Sequence, residues 1–99
     1  MLNTAPPVAA ASSDVGLDML PNHQSAQVVR LLGLDDASRH ELVLRLLEIG
    51  FLPGEPVRVM ARGFPGGDPL AVRVGHTTFA LRRHEAALVR VQVSAGGAR

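Results

Sequence analysis

The sequence contains no cysteine, lysine, tyrosine or tryptophan. Without cysteine, disulfides, thiolate metal centres and a cysteine nucleophile are all excluded. Without lysine, all ten basic residues are arginine, and nine acidic residues bring the formal net charge to +1. The sequence pI of about 9.1 overstates how basic the surface is. Only the terminal amine titrates between histidine and arginine here, so the charge curve is flat over that range. A nearly neutral chain does not announce a nucleic-acid partner. Its only aromatics are Phe51, Phe64 and Phe79. That is too few to line a groove for proline-rich peptides or to stack single-stranded bases. No apolar run approaches the ~20 residues that span a bilayer, so no membrane insertion is expected. Residues 1–13 lack the basic and apolar regions of a secretory signal, although Ala9-Ala10-Ala11-Ser12 superficially suggests a cleavage site. The expected location is cytoplasmic.

What is present is one small domain within 99 residues. Such a domain buries roughly 60% of its unfolded surface, which makes stability modest. Alanine inflates the 46% hydrophobic content; the core formers, Leu, Val, Ile and Phe, concentrate between residues 28 and 93. Pro6-Pro7, an alanine run and Ser12-Ser13 mark residues 1–16 as a disordered tail, and residues 95–99 as a small, polar, frayed end. The folded unit is expected over residues 17–94. Asp14 is placed to cap a helical turn carrying Leu17, Met19 and Leu20, closed by Pro21. Residues 26–34 read as the first strand, with an ambiguous register at Val28-Val29.

Ser38 and Glu41 have the spacing of a capping box, which opens an amphipathic helix of about 11 residues. Leu42, Val43, Leu46, Leu47 and Ile49 make its apolar face, and Glu41 and Arg45 an i,i+4 pair. Gly50 suits the positive φ of a helix C-terminus, Pro53 forbids resumption, and Pro53-Gly54 makes a turn. Period-two alternation follows. Val57, Val59 and Ala61 are expected inward, with Arg58, Met60 and Arg62 outward. Beyond the loop Gly63–Pro69, the same pattern puts Leu70, Val72 and Val74 inward on one strand, and Phe79 and Leu81 inward on the next. Arg83 to Ala87 make a helical turn before a closing strand with Val89, Val91 and Val93 inward. This is a mostly β, small α+β fold: five short strands in a closed or half-closed barrel, with one short helix after the first strand and a helical turn before the last.

Leu46-Leu47-Glu48-Ile49-Gly50-Phe51-Leu52-Pro53-Gly54 resembles the Leu-x-Glu-hydrophobic-Gly-x-x-Pro-Gly signature of the ferrous-iron transport protein A (FeoA) family. Gly67-Asp68-Pro69-Leu70 is similar to its Gly-Asp-Pro hairpin, and Leu81-Arg82-Arg83-His84-Glu85-Ala86 to its Leu-Arg-x-x-Glu-Ala segment. Leu17-Asp18-Met19-Leu20-Pro21 resembles its short opening. The motifs occur in the family's order over residues 17–93. The resemblance implies an SH3-like barrel in the bacterial cytosol that works with the membrane ferrous-iron transporter carrying a G domain.

The candidate chemistry is sparse. His23, His40, His76 and His84 fall in turns or helix ends with no metal-ligand spacing, so each reads as surface histidine. No cofactor is required; stray zinc or iron, taken up adventitiously, would at most bridge a weak dimer of an otherwise monomeric protein. Gly66-Gly67-Asp68 lacks the Gly-Lys-Ser/Thr of a phosphate loop, and no triad is apparent, so an enzyme is not expected. Outward Arg58, Arg62, Arg73 and Arg90 would form a basic stripe if their strands are neighbours. A solvated arginine face is the stronger expectation, and no nucleic-acid partner is expected. Phe51, Leu52, Met60 and Phe64, beside Arg58 and Arg62, describe a protein contact patch. The competing reading folds the Phe64 loop back over Met60. The residues give a non-enzymatic interaction module with a contact patch, and the resemblance implies that its partner is the iron transporter, which it binds and modulates. The alternative is a metal-responsive or nucleic-acid-binding SH3-like module, since similar domains end iron-dependent repressors.

Overall fold

The computed structural model describes residues 14–64 and 66–94. The expectations for residues 1–13 and 95–99 lie outside the described residues. Six antiparallel strands form one sheet: β1 (Val15–Gly16), β2 (Ser25–Leu31), β3 (Pro56–Arg62), β4 (Leu70–Val74), β5 (Thr77–Leu81) and β6 (Val89–Val93). A 3-10 turn spans Leu17–Met19, helix α1 spans His40–Ile49, and helix α2 spans Arg83–Ala86. The strand order is β1-β6-β2-β3-β4-β5. Among the described residues no ladder joins β5 to β1, so the sheet curls without closing its hydrogen bonding. The strand count is therefore six rather than five, because Val15 and Gly16, expected in the tail, pair with Val91 and Arg90.

The helix ends as its glycine requires. Gly50 adopts φ +126°. Its N–H reaches the Leu47 carbonyl at 3.1 Å, while the Phe51 N–H reaches the Leu46 carbonyl at 3.1 Å. This paired geometry folds Phe51 back onto Leu46, and both are fully buried. Leu52 to Glu55 then form a turn closed by a 2.9 Å hydrogen bond from the Glu55 N–H to the Leu52 carbonyl, with Gly54 at φ +90°. The Gly54 N–H donates to the Val28 carbonyl at 2.7 Å, which locks the turn onto β2.

The helix start differs from expectation. Arg39 occupies the cap position without a side-chain bond, and Ser38 donates both its backbone N–H and its hydroxyl to Asp36 Oδ1 instead. The two bonds to Asp36 hold Ser38 in a local turn ahead of the helix, so Arg39 rather than Ser38 stands at the cap position. Arg45 likewise pairs with Glu85 at 3.5 Å, not with Glu41. Val43 and Leu46 of the expected face are fully buried, with Leu42, Leu47 and Ile49 packed partly against the core.

One bulge accounts for the ambiguous register at Val28-Val29, and a second for the misread end of β3. Val28 opposes Val91, but Arg30 opposes Arg90, which leaves Val29 as an extra residue in β2. Val59 opposes Val72 and Ala61 opposes Ala71, which leaves Met60 extra in β3. One inserted residue flips every later side chain to the other face. Ala61, expected inward, is therefore exposed, and Arg62, expected outward, turns toward the 3-10 turn. Val93, expected inside, is 46% exposed for a different reason: it keeps the register of Val91, opposite Ala26, but is the last residue of β6. Leu70, Val72, Val74, Leu81, Val89 and Val91 are buried as the alternation requires, and Phe79 partly so.

Candidate interaction surface

The 3-10 turn buries Leu17 and Leu20 and leaves Met19 69% exposed. Asp14 does not cap this turn; Gly16 precedes it with no side-chain bond. Asp14 instead bridges two arginines. Its Oδ2 lies 2.6 Å from Arg30 Nη1 and its Oδ1 3.1 Å from Arg90 Nη2. The hydrogen bond from Arg90 chiefly holds this carboxyl below the usual aspartate range, with burial opposing and Arg30 adding to the depression. The two hydrogen bonds from Ser38 depress Asp36 in the same direction.

Phe64 is 97% exposed, just beyond β3. The Gly63 N–H donates to the Pro69 carbonyl at 2.7 Å, and the Gly67 N–H to the Gly63 carbonyl at 2.9 Å. A Cβ on Gly63 would stand 2.6 Å from the Asp68 carbonyl oxygen, so only glycine lets the two arms of the loop approach this closely. The loop is tied to itself rather than folded over Met60, which is half-buried as the bulge residue.

The six residues expected to share a contact patch are divided. Phe51 is fully buried and is a core residue, not a contact. Leu52 is 49% exposed, but the seven residues of β3 separate it from Phe64. At ~3.3 Å per residue that is roughly 20 Å. Arg62 spends its guanidinium on the Asp18 carbonyl at 3.0 Å, the Asn22 side chain at 3.1 Å and the Leu20 carbonyl. That grip brings Met19, which sequence reasoning missed, to the same end of the molecule as Phe64. The signal was available: the spacing of Leu17 and Leu20 leaves Met19 off the buried side of the turn.

The arginine stripe is also divided. Arg62 and Arg90 are held by internal acceptors. Arg58 and Arg73 are exposed and stand opposite each other across β3 and β4, with Ser25 and Thr78 completing the row. A cleft of about 340 Å³ lies beside them and includes Gln27, Gly75 and Ser94.

The four histidines are all exposed. His23, at φ +70°, donates its backbone N–H to the Val59 carbonyl at 2.7 Å. His40 Nδ1 lies 3.0 Å from the Leu34 carbonyl. Among the described residues no three His, Asp or Glu side chains converge as a metal site. No described helix is long and apolar enough to cross a membrane.

A curled antiparallel sheet, its core capped by one helix and a 3-10 turn, defines a small SH3-like domain. The FeoA domain model matches residues 15–93, and the chain belongs to that family. The crystal structure of Stenotrophomonas maltophilia FeoA complexed with zinc, described as an SH3 domain protein, is 45% identical. That match covers 84% of this chain and 93% of that one, with a TM-score of 0.64. Iron(II) transport protein A from Clostridium thermocellum is 29% identical over 83% of this chain, with a TM-score of 0.68. This chain spans about half of that protein, 47% of its length. IdeR of T. acidophilum shares 22% identity and a TM-score of 0.60 over 83% of this chain and 35% of its own, a likeness of fold. Among curated proteins no sequence matches the chain.

Proposed function

We propose that this domain is a non-enzymatic, cytoplasmic accessory protein of bacterial ferrous-iron uptake. On this reading it binds and modulates the membrane Fe(II) transporter that carries a G domain. The observation that carries the reading is the FeoA match over residues 15–93, the whole sheet from β1 to β6. The 45% identity to S. maltophilia FeoA supports it, as does the likeness to an iron(II) transport protein. Phe64 supplies the contact chemistry: a fully projecting aromatic on a loop whose shape is set by its own hydrogen bonds is a pre-organised anchor. A domain with no catalytic machinery of its own acts on a transporter by binding two of its states unequally. No resident cofactor is needed. Zinc or iron taken up by the surface histidines would be adventitious and would at most bridge a weak dimer.

The test is titration of the full chain against the transporter's cytosolic portion, with and without nucleotide. Wild type should bind, and Phe64→Glu should bind at least tenfold more weakly with an unchanged circular dichroism spectrum. An absence of binding in every nucleotide state would remove the transporter as partner.

A further inference from the structure

The sheet holds two pairs of arginines that stand directly opposite each other on neighbouring strands. Arg30 faces Arg90 across β2 and β6, and Arg58 faces Arg73 across β3 and β4. Like charges in this position repel. The first pair is reconciled by Asp14, whose two carboxylate oxygens each take one guanidinium; that carboxylate side chain is only 9% exposed. The second pair has no such partner among the described residues. Arg58 donates to the Ser25 hydroxyl at 2.7 Å, and Arg73 Nε approaches the Gly75 carbonyl at 3.4 Å. Glu55, whose carboxylate lies beside Gly75, makes an ion pair with neither. A guanidinium has five N–H donors, so most of those on Arg58 and Arg73 remain unused at the edge of the cleft.

We propose that the cleft beside Arg58 and Arg73 receives a carboxylate side chain from an acidic segment of a partner protein. That carboxylate bridges the two guanidinia as Asp14 bridges Arg30 and Arg90. The inference rests on the reading of the domain as a protein-docking module and names the chemistry of its second contact. Charge complementarity selects the occupant: two unmatched cations at the spacing of cross-strand neighbours suit one bidentate carboxylate. A nucleic acid needs a broader positive field, and a chain of net charge +1 with Arg62 and Arg90 internally engaged does not supply one.

The test is titration of the isotope-labelled full chain with an eight-residue peptide of Asp and Glu, and separately with inorganic phosphate, followed by amide chemical shifts. The peptide should shift Ser25, Arg58, Arg73 and Gly75, and the affinity should fall as salt rises. The Arg58→Gln/Arg73→Gln double variant should bind at least tenfold more weakly. Its melting temperature should hold or rise by about 2 °C, because the repulsion has been removed. Four results would overturn the proposal: no shifts, shifts centred elsewhere, phosphate binding as tightly as peptide, or a double variant that melts several degrees lower. Transporter binding separates the two readings. If wild type and double variant bind the transporter equally, the cleft proposal fails and the transporter reading stands. If the peptide binds at the cleft but the transporter does not bind at all, the transporter reading fails and the cleft stands.

Discussion

Gly50 and Asp14 show how differently single residues declare themselves. Gly50 is legible because a glycine directly after a periodic apolar run, followed by Pro53, has few other uses. Its φ of +126° disfavours any side chain, while a Cβ there would meet only Val74 Cγ2 at an ordinary 3.7 Å. Gly50→Ala should therefore act through backbone strain rather than a clash, and lower unfolding stability by about 1–2 kcal/mol in urea titration. Asp14 is not legible, because Arg90 is 76 positions away. Its carboxyl is depressed in the folded state, so the charged form stabilises the fold above the usual aspartate range. That contribution fades as pH falls through the depressed value. Asp14→Asn should melt lower than wild type at pH 7, and the gap should close on acidification below about pH 4. Asp36 is present in both proteins, so its own titration cancels from the difference.

At the scale of elements, caps and bulges decide where sequence reasoning holds. The helix C-terminus is local, and it folds as its residues require. The helix N-terminus is contested: Asp36 holds Ser38 in the turn before the helix, and the cap position falls to Arg39. Glu85 shows the opposite case, a buried acid whose cap is local while its ion-pair partner is distant in sequence. It is 8% exposed, accepts the Arg82 N–H at 2.8 Å to start α2, and faces Arg45 of α1 at 3.5 Å. Arg45 is more than half exposed, so the ion pair contributes little beside the cap. Glu85→Gln, which retains an acceptor, should be nearly neutral. Glu85→Ala should cost about 1–2 kcal/mol in thermal unfolding. Comparable losses in both variants would shift the weight to the ion pair. The bulge at Val29 shows in the sequence as two adjacent valines that blur the alternation, whereas Met60 between Val59 and Ala61 fits a period of two and hides its bulge.

For the whole molecule, the fold begins earlier than composition suggests. Asp14 clamps β2 to β6, and β1 adds two residues to the sheet edge. Removing residues 1–13 should leave the melting temperature unchanged. Removing residues 1–16 should lower it by several degrees, since it takes away both the carboxylate and the β1 ladder. An equal melting temperature for the two truncations would mean that β1 is dispensable.

Local chemistry along the chain was enough for the helix and its C-terminus, the sites of the turns, the inward face of β4 and β5, the first part of those of β3 and β6, and the motifs that resemble FeoA. Each of these depends on residues within a few positions of one another. The division of the arginines came only with folding. Whether Arg58, Arg62, Arg73 and Arg90 are free depends on register across strands and on acceptors up to 76 positions distant. The same holds for Phe51 and Phe64, two aromatics that look alike in sequence. One is drawn into the core by the chain reversal at Gly50, and the other is held outward by a loop closed on its own glycines.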